Sequence, residues 1–329
     1  MTQFRKLGPF EVSSIGLGCM NISHAYGSPP SEQEGAALLL KAYELGVTLF
    51  DTAALYGFGS NEELVGKTLK PIRDKVILTS KGGLFGQDGK RALSGRPEVL
   101  RKNCEDSLRR LQTDVIDLYY LHRWDKSVPI EDSIGELAKL LQEGKIKSIG
   151  LSEVSAQSIR KAHAVHPIAA VQTEYSLWTR NPEIAVLDAC HELGATFVAF
   201  SPLARGYLGG KLTDVGSLEA KDIRRTMPRF YPENYPKNLS LLPKFQLLAN
   251  EAGCTMPQLA LAWVLNKDQR IVPIPGTTKI NNLIEDLGAS SIQLSPDMMQ
   301  RLESLFDRKC IAGMRYNEAA QSEVDTEEY

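Results

Sequence analysis

Eight β-rich runs, each followed by a segment of helical period, constrain this chain more than any other feature of its sequence. The runs are SSIGLG (13–18), VTLFD (47–51), VILTSK (76–81), VIDLYYLH (115–122), IKSIGLS (146–152), IAAVQ (168–172), ATFVAFS (195–201) and IVPIP (271–275). Most are continuous apolar stretches, the pattern of parallel strands covered on both faces. The segments between them carry helix ends. SEQE (31–34) is a capping box whose helix stops near Gly46. RPEVLRKNCEDSLRRL (96–111) places Pro97 in a first turn and Leu100, Cys104, Leu108 and Leu111 on one face. IEDSIGELAKLLQEG ends at Gly144, and NPEIAVLDACHELG (181–194) and MPQLALAWVLNK (256–267) repeat the proline start. Strand then helix, eight times over, specifies an α/β chain folded as an eight-stranded (β/α)8 TIM barrel. An open doubly wound sheet is the alternative. LGPFEV (7–12) is expected to form an N-terminal β-hairpin across the barrel bottom, and residues 1–329 to form one domain.

Composition is compatible with that reading. The 329 residues are 43% hydrophobic, enough for a large core, and barrels of this length occur as single domains. A formal net charge of −2 gives no whole-protein reason to expect nucleic acid or an anionic membrane as partner. MTQFRKLGPFEV has no apolar secretory core, and no run approaches the roughly 20 apolar residues that span a bilayer. Five scattered cysteines without a CxxC fit reduced thiols in a cytoplasmic protein. Two connections exceed simple turns: 82–96 after the third strand and 202–241 after the seventh. Both follow strand C-termini, where barrel enzymes place their sites, and loops of that size read as lids or binding loops. The terminal stretch 318–329, with five acids and no base, is expected to be a solvated, mobile tail.

The polar residues at the strand ends suggest a chemistry. Asp51 ends the second strand, Lys81 the third and His122 the fourth, and Tyr56 follows Asp51 in FDTAALYG (50–57). A phenol titrates near 10 and is a reluctant acid. A neighbouring ammonium favours its ionisation, and a carboxylate paired with that ammonium keeps it charged and in place. An imidazole can orient a substrate oxygen by hydrogen bonding. Together the four can protonate an oxygen that turns negative as a carbonyl accepts hydride.

With these residues in view, the sequence resembles the aldo-keto reductases. The resemblance rests on GLGCM (16–20), FDTAALYG (50–57), TSKGG (79–83), LHRWD (121–125), GLSEVS (150–155), VQTEYSL (171–177), AFSPLARGYLGGKL (199–212) and IPGTTKINNLIEDLGA (274–289). It covers nearly the whole chain in order and is closest to the bacterial and fungal branch. It implies a catalytic tetrad of Asp51, Tyr56, Lys81 and His122 with Tyr56 as proton donor, and an NADPH site built from loops, NADPH being favoured over NADH. By the same resemblance Ser152 and Gln172 would bind the nicotinamide carboxamide, and Phe200 would stack on its ring. Ser201, Leu203, Arg205, Gly206 and Lys211 would wrap the diphosphate. Gly276, Thr277, Thr278, Lys279, Asn282, Glu285 and Asp286 would hold the adenosine end, and Gly18, Cys19, Met20, Asp51 and Pro202 complete the cofactor contacts. Tyr56, Phe85, His122 and Trp124 would line the pocket for a small carbonyl substrate. Glu153 stands where many relatives have an asparagine on the carboxamide, and Asn282 where many have an arginine on the 2′-phosphate.

Other readings are weaker. GLGCMN (16–21) has Asn21 where a Rossmann fingerprint needs its third glycine. Tyr207 and Lys211 have the spacing of a short-chain dehydrogenase pair, but Gly209 and Gly210 between them oppose the helix that pair requires. No metal site is expected: His163 and His166 have no acid or cysteine in step. Trp178, Phe230 and Tyr231 are further aromatic candidates for a pocket wall. A cofactor-binding sensor barrel with little turnover, and a barrel using Lys81 as a Schiff base, are the rival functions. The sequence leaves the oligomeric state open.

Overall fold

The structure, a computed structural model, describes residues 3–23 and 25–329; His24 lies outside them. Eight parallel strands form one sheet in chain order: Leu17–Gly18, Leu49–Asp51, Ile77–Gly82, Leu118–Leu121, Ile149–Ser152, Ala170–Glu174, Thr196–Phe200 and Ile271–Ile274. Each lies within a run expected from the sequence or overlaps it. The first and last strands meet: the amides of Gly16 and Gly18 donate to the carbonyls of Pro273 (3.0 Å) and Pro275 (3.0 Å). Closing the sheet leaves it no free edge and makes it a (β/α)8 barrel.

Strand alternation sorts the side chains into two cores. Leu118 and Tyr120 point into the barrel with Leu49, Ala170, Val198 and Val272. Tyr119 and Leu121 point outward into the larger cluster beneath the helices. The barrel bottom is closed by a hairpin of Phe4–Leu7 and Phe10–Ser13, whose Leu7 and Val12 join the inner core. Tyr120 occupies the interior because its neighbour in register is Gly150. A Cβ on Gly150 would lie 2.3 Å from the Tyr120 ring.

Helix boundaries follow their local signals. Ser31 and Glu34 form the capping box of Glu32–Glu44, and Gly46 reverses the chain at φ 92°. Helix Pro97–Leu111 buries Leu100, Cys104 and Leu111, with Leu108 partly covered. Helices Ile130–Gln142 and Met256–Lys267 also form, the latter under a Thr255/Gln258 capping box. The segment 181–194 is not one helix. A 3-10 turn (Asn181–Glu183) and helix Val186–Leu193 are separated at Ala185, whose φ of −157° is incompatible with helix.

The connection 82–96, expected as a lid or binding loop, is built as a hairpin: Leu84–Gln87 pairs with Lys90–Leu93, with Asp88 and Gly89 both at positive φ. That is the Asp-Gly turn whose twist matches the strands. The acidic C-terminus is docked instead of mobile. Glu318–Ser322 is helical, Val324 is buried, and the Asp325 carboxylate accepts from the Ser155 amide (3.2 Å) and the hydroxyls of Ser155 (2.8 Å) and Ser158 (2.6 Å). These donors belong to the first turn of helix Ala156–Val165, where backbone amides and the helix dipole favour carboxylates. The connection 202–241 is a chain of short 3-10 turns, including Ala204–Gly209 and Ile223–Thr226, and the five-residue helix Tyr235–Leu239.

Gly150→Ala is expected to destabilise the protein by about 1–3 kcal/mol, since the barrel interior cannot yield to an added methyl. Urea midpoints will show this cost shrinking in a Tyr120→Leu background; an equal cost in both backgrounds would refute the assigned clash.

Candidate active site

The C-terminal ends of the strands set the site in register. Asp51 pairs opposite Thr79, and Lys81 lies one alternation further along the third strand, on the same face. Thr79 Oγ1 therefore donates to Asp51 Oδ2 (2.7 Å), while Lys81 Nζ donates to Asp51 Oδ1 in a buried ion pair. Gln172 Nε2 donates to the same Oδ2 (2.8 Å), and Lys81 also donates to the Thr52 carbonyl (2.9 Å). The amide of Ala54 donates to the Lys81 carbonyl (3.2 Å), which ties the loop after Asp51 to the third strand. The 3-10 turn Tyr56–Gly59 follows, and Lys81 Nζ lies 3.4 Å from the Tyr56 hydroxyl. The His122 ring stands edge-on to Tyr56 with centroids 5.9 Å apart. Three consecutive strands and one loop thus bring Asp51, Tyr56, Lys81 and His122 together.

Burial decides the protonation states. It raises the Tyr56 phenol above its ordinary 10; Lys81 pulls the other way and is outweighed. Lys81 lowers this phenol as expected, but the net shift is upward because the buried surroundings penalise phenolate more than one ammonium rewards it. Burial would lower Lys81, but Asp51 and Tyr56 raise it above 10.5 overall. His122 is held well below 6.5, by burial first and then by Arg123, Lys81 and Arg91. At neutral pH the set comprises a neutral phenol, a charged ammonium and a neutral imidazole. A protonated, fully engaged Lys81 has no free amine, which argues against a Schiff base.

These groups open into a cavity of about 820 Å³ at the C-terminal rim. A sequence model described as the aldo/keto reductase family matches residues 14–307. The chain belongs to the aldo/keto reductase family. It is 46% identical to a probable aldo-keto reductase of Glycine max over 94% of this chain and 91% of that protein. A glycerol dehydrogenase from Gluconobacter oxydans superposes with TM-score 0.85 at 30% identity, covering 93% of this chain and 95% of that one. An aldo-keto reductase from Klebsiella pneumoniae in complex with NADPH superposes with TM-score 0.72 at 27% identity, covering 96% and 99%.

The aldo/keto reductase cavity gathers most of the expected residues. Gly18, Met20, Asp51, Tyr56, His122, Ser152, Gln172 and Phe200 line its inner end. Ser201, Pro202, Leu203, Arg205, Gly206 and Lys211 line it along the loop after the seventh strand. Gly276, Thr277, Thr278, Lys279, Asn282, Glu285 and Asp286 line it after the eighth. Four expected residues do not. Lys81 lies beneath Tyr56. Cys19 is buried in the outer core, with Sγ donating to the Leu17 carbonyl (3.7 Å). Phe85 sits on the opposite face of its hairpin from the lining residues Leu84 and Arg91, as strand alternation requires. Trp124 turns its Nε1 to the Val128 carbonyl (2.9 Å) and packs against the outer core.

Arg205 lines the cavity, but its Nη2 donates to Glu174 Oε2 (2.6 Å) and its side chain reaches the Tyr316 hydroxyl (3.1 Å). Gln172 is likewise shared with Asp51. Glu153 is buried at φ 56° and ion-paired with Arg315 (2.6 Å), away from the cavity. Tyr207 is buried and stacked on Trp178 (4.1 Å), so the Tyr207/Lys211 spacing has no catalytic meaning here. Trp178, Phe230 and Tyr231 are absent from the lining. Sequence reading missed Tyr26, Arg91, Arg123, Arg224, Tyr316 and Asn317. Arg123, beside His122 at a strand end, carried a local signal, and Arg91 and Arg224 lie in the connections read as binding loops; Tyr316 and Asn317 reach the cavity by long-range folding. Among the described residues no group of three or more His, Cys, Asp or Glu is arranged to hold a metal ion.

The donor set fits a dinucleotide. Amide-seeking groups (Ser152, Gln172) stand at the tetrad end, hydroxyls and cations (Ser201, Lys211) along the middle, and Thr277, Thr278 and Lys279 at the far end. Asp286 marks that far end, its carboxyl raised to about 7 by burial, then by Glu285, with Lys211 opposing. Between about pH 4 and 7 the folded protein holds a proton there that the unfolded chain has lost. Stability contributed by this group is thus greatest at low pH and falls as pH rises through about 7. In urea melts of the cofactor-free protein, Asp286→Asn is expected to lose less stability than wild type between about pH 5 and pH 8, by a few kcal/mol at most. Identical losses would show that Asp286 is not strained when ionised.

Proposed function

We propose that this chain is a single-domain, cytoplasmic, NADPH-dependent reductase that converts a small aldehyde or ketone to its alcohol, reversibly. The observation that carries the reading is a protonated phenol, Tyr56, held 3.4 Å from a charged ammonium, Lys81, beside a neutral imidazole. Bound in the cavity, the nicotinamide dinucleotide supplies hydride to the carbonyl carbon. The remaining work falls to the chain. His122 orients the carbonyl oxygen by hydrogen bonding. Tyr56 keeps its proton until that oxygen becomes negative and then gives it up, and Lys81 stabilises the phenolate that forms. Asp51 holds Lys81 in place. The alcohol is oxidised by the same route in reverse.

NADPH is supported by its presence in the Klebsiella pneumoniae relative, by Lys279 at the adenosine end of the cavity and by Lys211 beside it. Lys279 precedes helix Ile280–Leu287, whose free amides suit an anion, and Lys211 Nζ donates to Asn282 Oδ1 (3.3 Å). The reducing compartment is supported by five free cysteines, and no helix among the described residues is long and apolar enough to cross a membrane.

Tyr56→Phe is expected to bind NADPH with unchanged affinity, read by its fluorescence, and to lose about 10²–10⁴-fold in kcat. Turnover retained in this variant would remove Tyr56 from the mechanism. Lys279→Ala should lower kcat/KM for NADPH by about tenfold, with a smaller effect on NADH, because one charge-assisted contact to the extra phosphate is lost. An equal effect on both cofactors would exclude Lys279 from 2′-phosphate recognition.

A further inference from the structure

Four arginines line the cavity, and three of them face a carboxylate: Arg205 with Glu174, Arg224 with Asp222, and Arg91 with Glu323. Arg123 is the exception. It follows His122 directly, is half-buried, and sits at the tetrad end of the cavity. Its Nη1 donates to two uncharged acceptors, the His122 carbonyl (2.7 Å) and Ser152 Oγ (3.1 Å). Among the described residues no carboxylate lies within 4.0 Å of its guanidinium, and Nε and Nη2 have no hydrogen-bond partner. The surroundings do not neutralise it. Lys81 is matched only by Asp51, and Arg91 adds a second guanidinium that is itself half-exposed toward Glu323. The field is strong enough that Arg123, Lys81 and Arg91 all act to keep His122 uncharged.

A partly desolvated guanidinium without a counter-ion costs free energy that an incoming anion recovers. Its planar fork can hold a carboxylate through two parallel hydrogen bonds, and Nε and Nη2 are the pair left free for it. The position matters as much as the charge. Arg123 is adjacent in sequence to the residue that faces Tyr56, so an anion on its free nitrogens would be separated from the reacting carbonyl by a short carbon skeleton or one aromatic ring. Loops 82–96 and the docked C-terminus supply Leu84 and Tyr316 to wall such a skeleton.

We propose that Arg123 is a specificity-determining residue and that the preferred substrates are carbonyl compounds bearing a carboxylate, which Arg123 binds while the aldehyde or ketone faces Tyr56 and His122. The inference rests on the reductase reading above and adds to it the class of substrate. The carboxylate is unchanged in the reaction; it anchors the molecule and fixes which end meets the tetrad.

The test compares 4-carboxybenzaldehyde with 4-methylbenzaldehyde, a neutral molecule of similar shape, by steady-state NADPH oxidation. Wild type is expected to favour the carboxylate in kcat/KM by about tenfold or more. Arg123→Leu should collapse that ratio by a similar factor, chiefly through KM, and Arg123→Lys should retain part of it. Added salt should raise KM for the carboxylate and leave the neutral aldehyde unaffected. The inference is overturned by a wild-type ratio near one. It is equally overturned if both substrates decline together in the variants, since that marks Arg123 as a support for Ser152 or the fold. If Arg123→Leu fails to fold, Arg123→Lys and the wild-type salt series decide between these outcomes. Failure of both aldehydes, and of a wider carbonyl panel, to oxidise NADPH would instead sink the reductase reading itself.

Discussion

The Asp51–Lys81 ion pair sits inside a closed sheet with both side chains buried, and the rest of the site is organised around keeping it there. Removing two charges from water is expensive, and their attraction offsets the cost only when the remaining lone pairs and protons are also satisfied. Here they are. Asp51 accepts from Lys81, Thr79 and Gln172, and Lys81 donates to Asp51, the Thr52 carbonyl and Tyr56. Those partners come from the second, third and sixth strands and the loop after the second. An open sheet would not bring the sixth strand back to the second; closure between the first and eighth strands does.

Once the pair is fixed, burial distributes charge around it. The phenol and the imidazole are both driven toward their neutral forms, and the ammonium alone is driven toward its charged form because it alone has a buried carboxylate against it. The result is a phenol that holds its proton at rest beside a fixed positive charge. The electrostatics are preorganised, so little rearrangement is needed when charge appears on a substrate oxygen.

The C-terminal segment closes the rim by the same logic. Glu153 and Glu174 are buried at the ends of the fifth and sixth strands and would be costly if unpaired. Arg315 answers the first and Arg205 the second, and Tyr316 lies against both guanidiniums (Arg315 at 4.5 Å and Arg205 at 5.6 Å from its ring). Asp325 then pins the tail to the start of helix Ala156–Val165. A stretch that looks solvated by composition is thereby converted into a wall of the cavity, and it carries Tyr316 and Asn317 with it.

The sequence by itself determined the barrel and the tetrad. Apolar runs, capping boxes and proline starts are local signals, and strand ends must point to one rim once the fold is a β/α barrel. Asp51, Lys81 and His122 were legible for that reason, and the family resemblance supplied most of the cavity's loop residues. The Asp-Gly turn at 88–89 was equally local, so the hairpin at 84–93 was within reach of sequence reasoning. Tertiary structure alone decided the rest. Whether Phe85 or Leu84 faces the cavity depends on strand register, and Cys19 and Trp124 pack into the outer core instead of the cavity. The net rise in the Tyr56 pKa, the engagement of Arg205 by Glu174 and the docking of the acidic tail all depend on burial and on partners distant along the chain. Solvent exclusion and ion pairing are properties of the packed molecule, and no local stretch of residues encodes them.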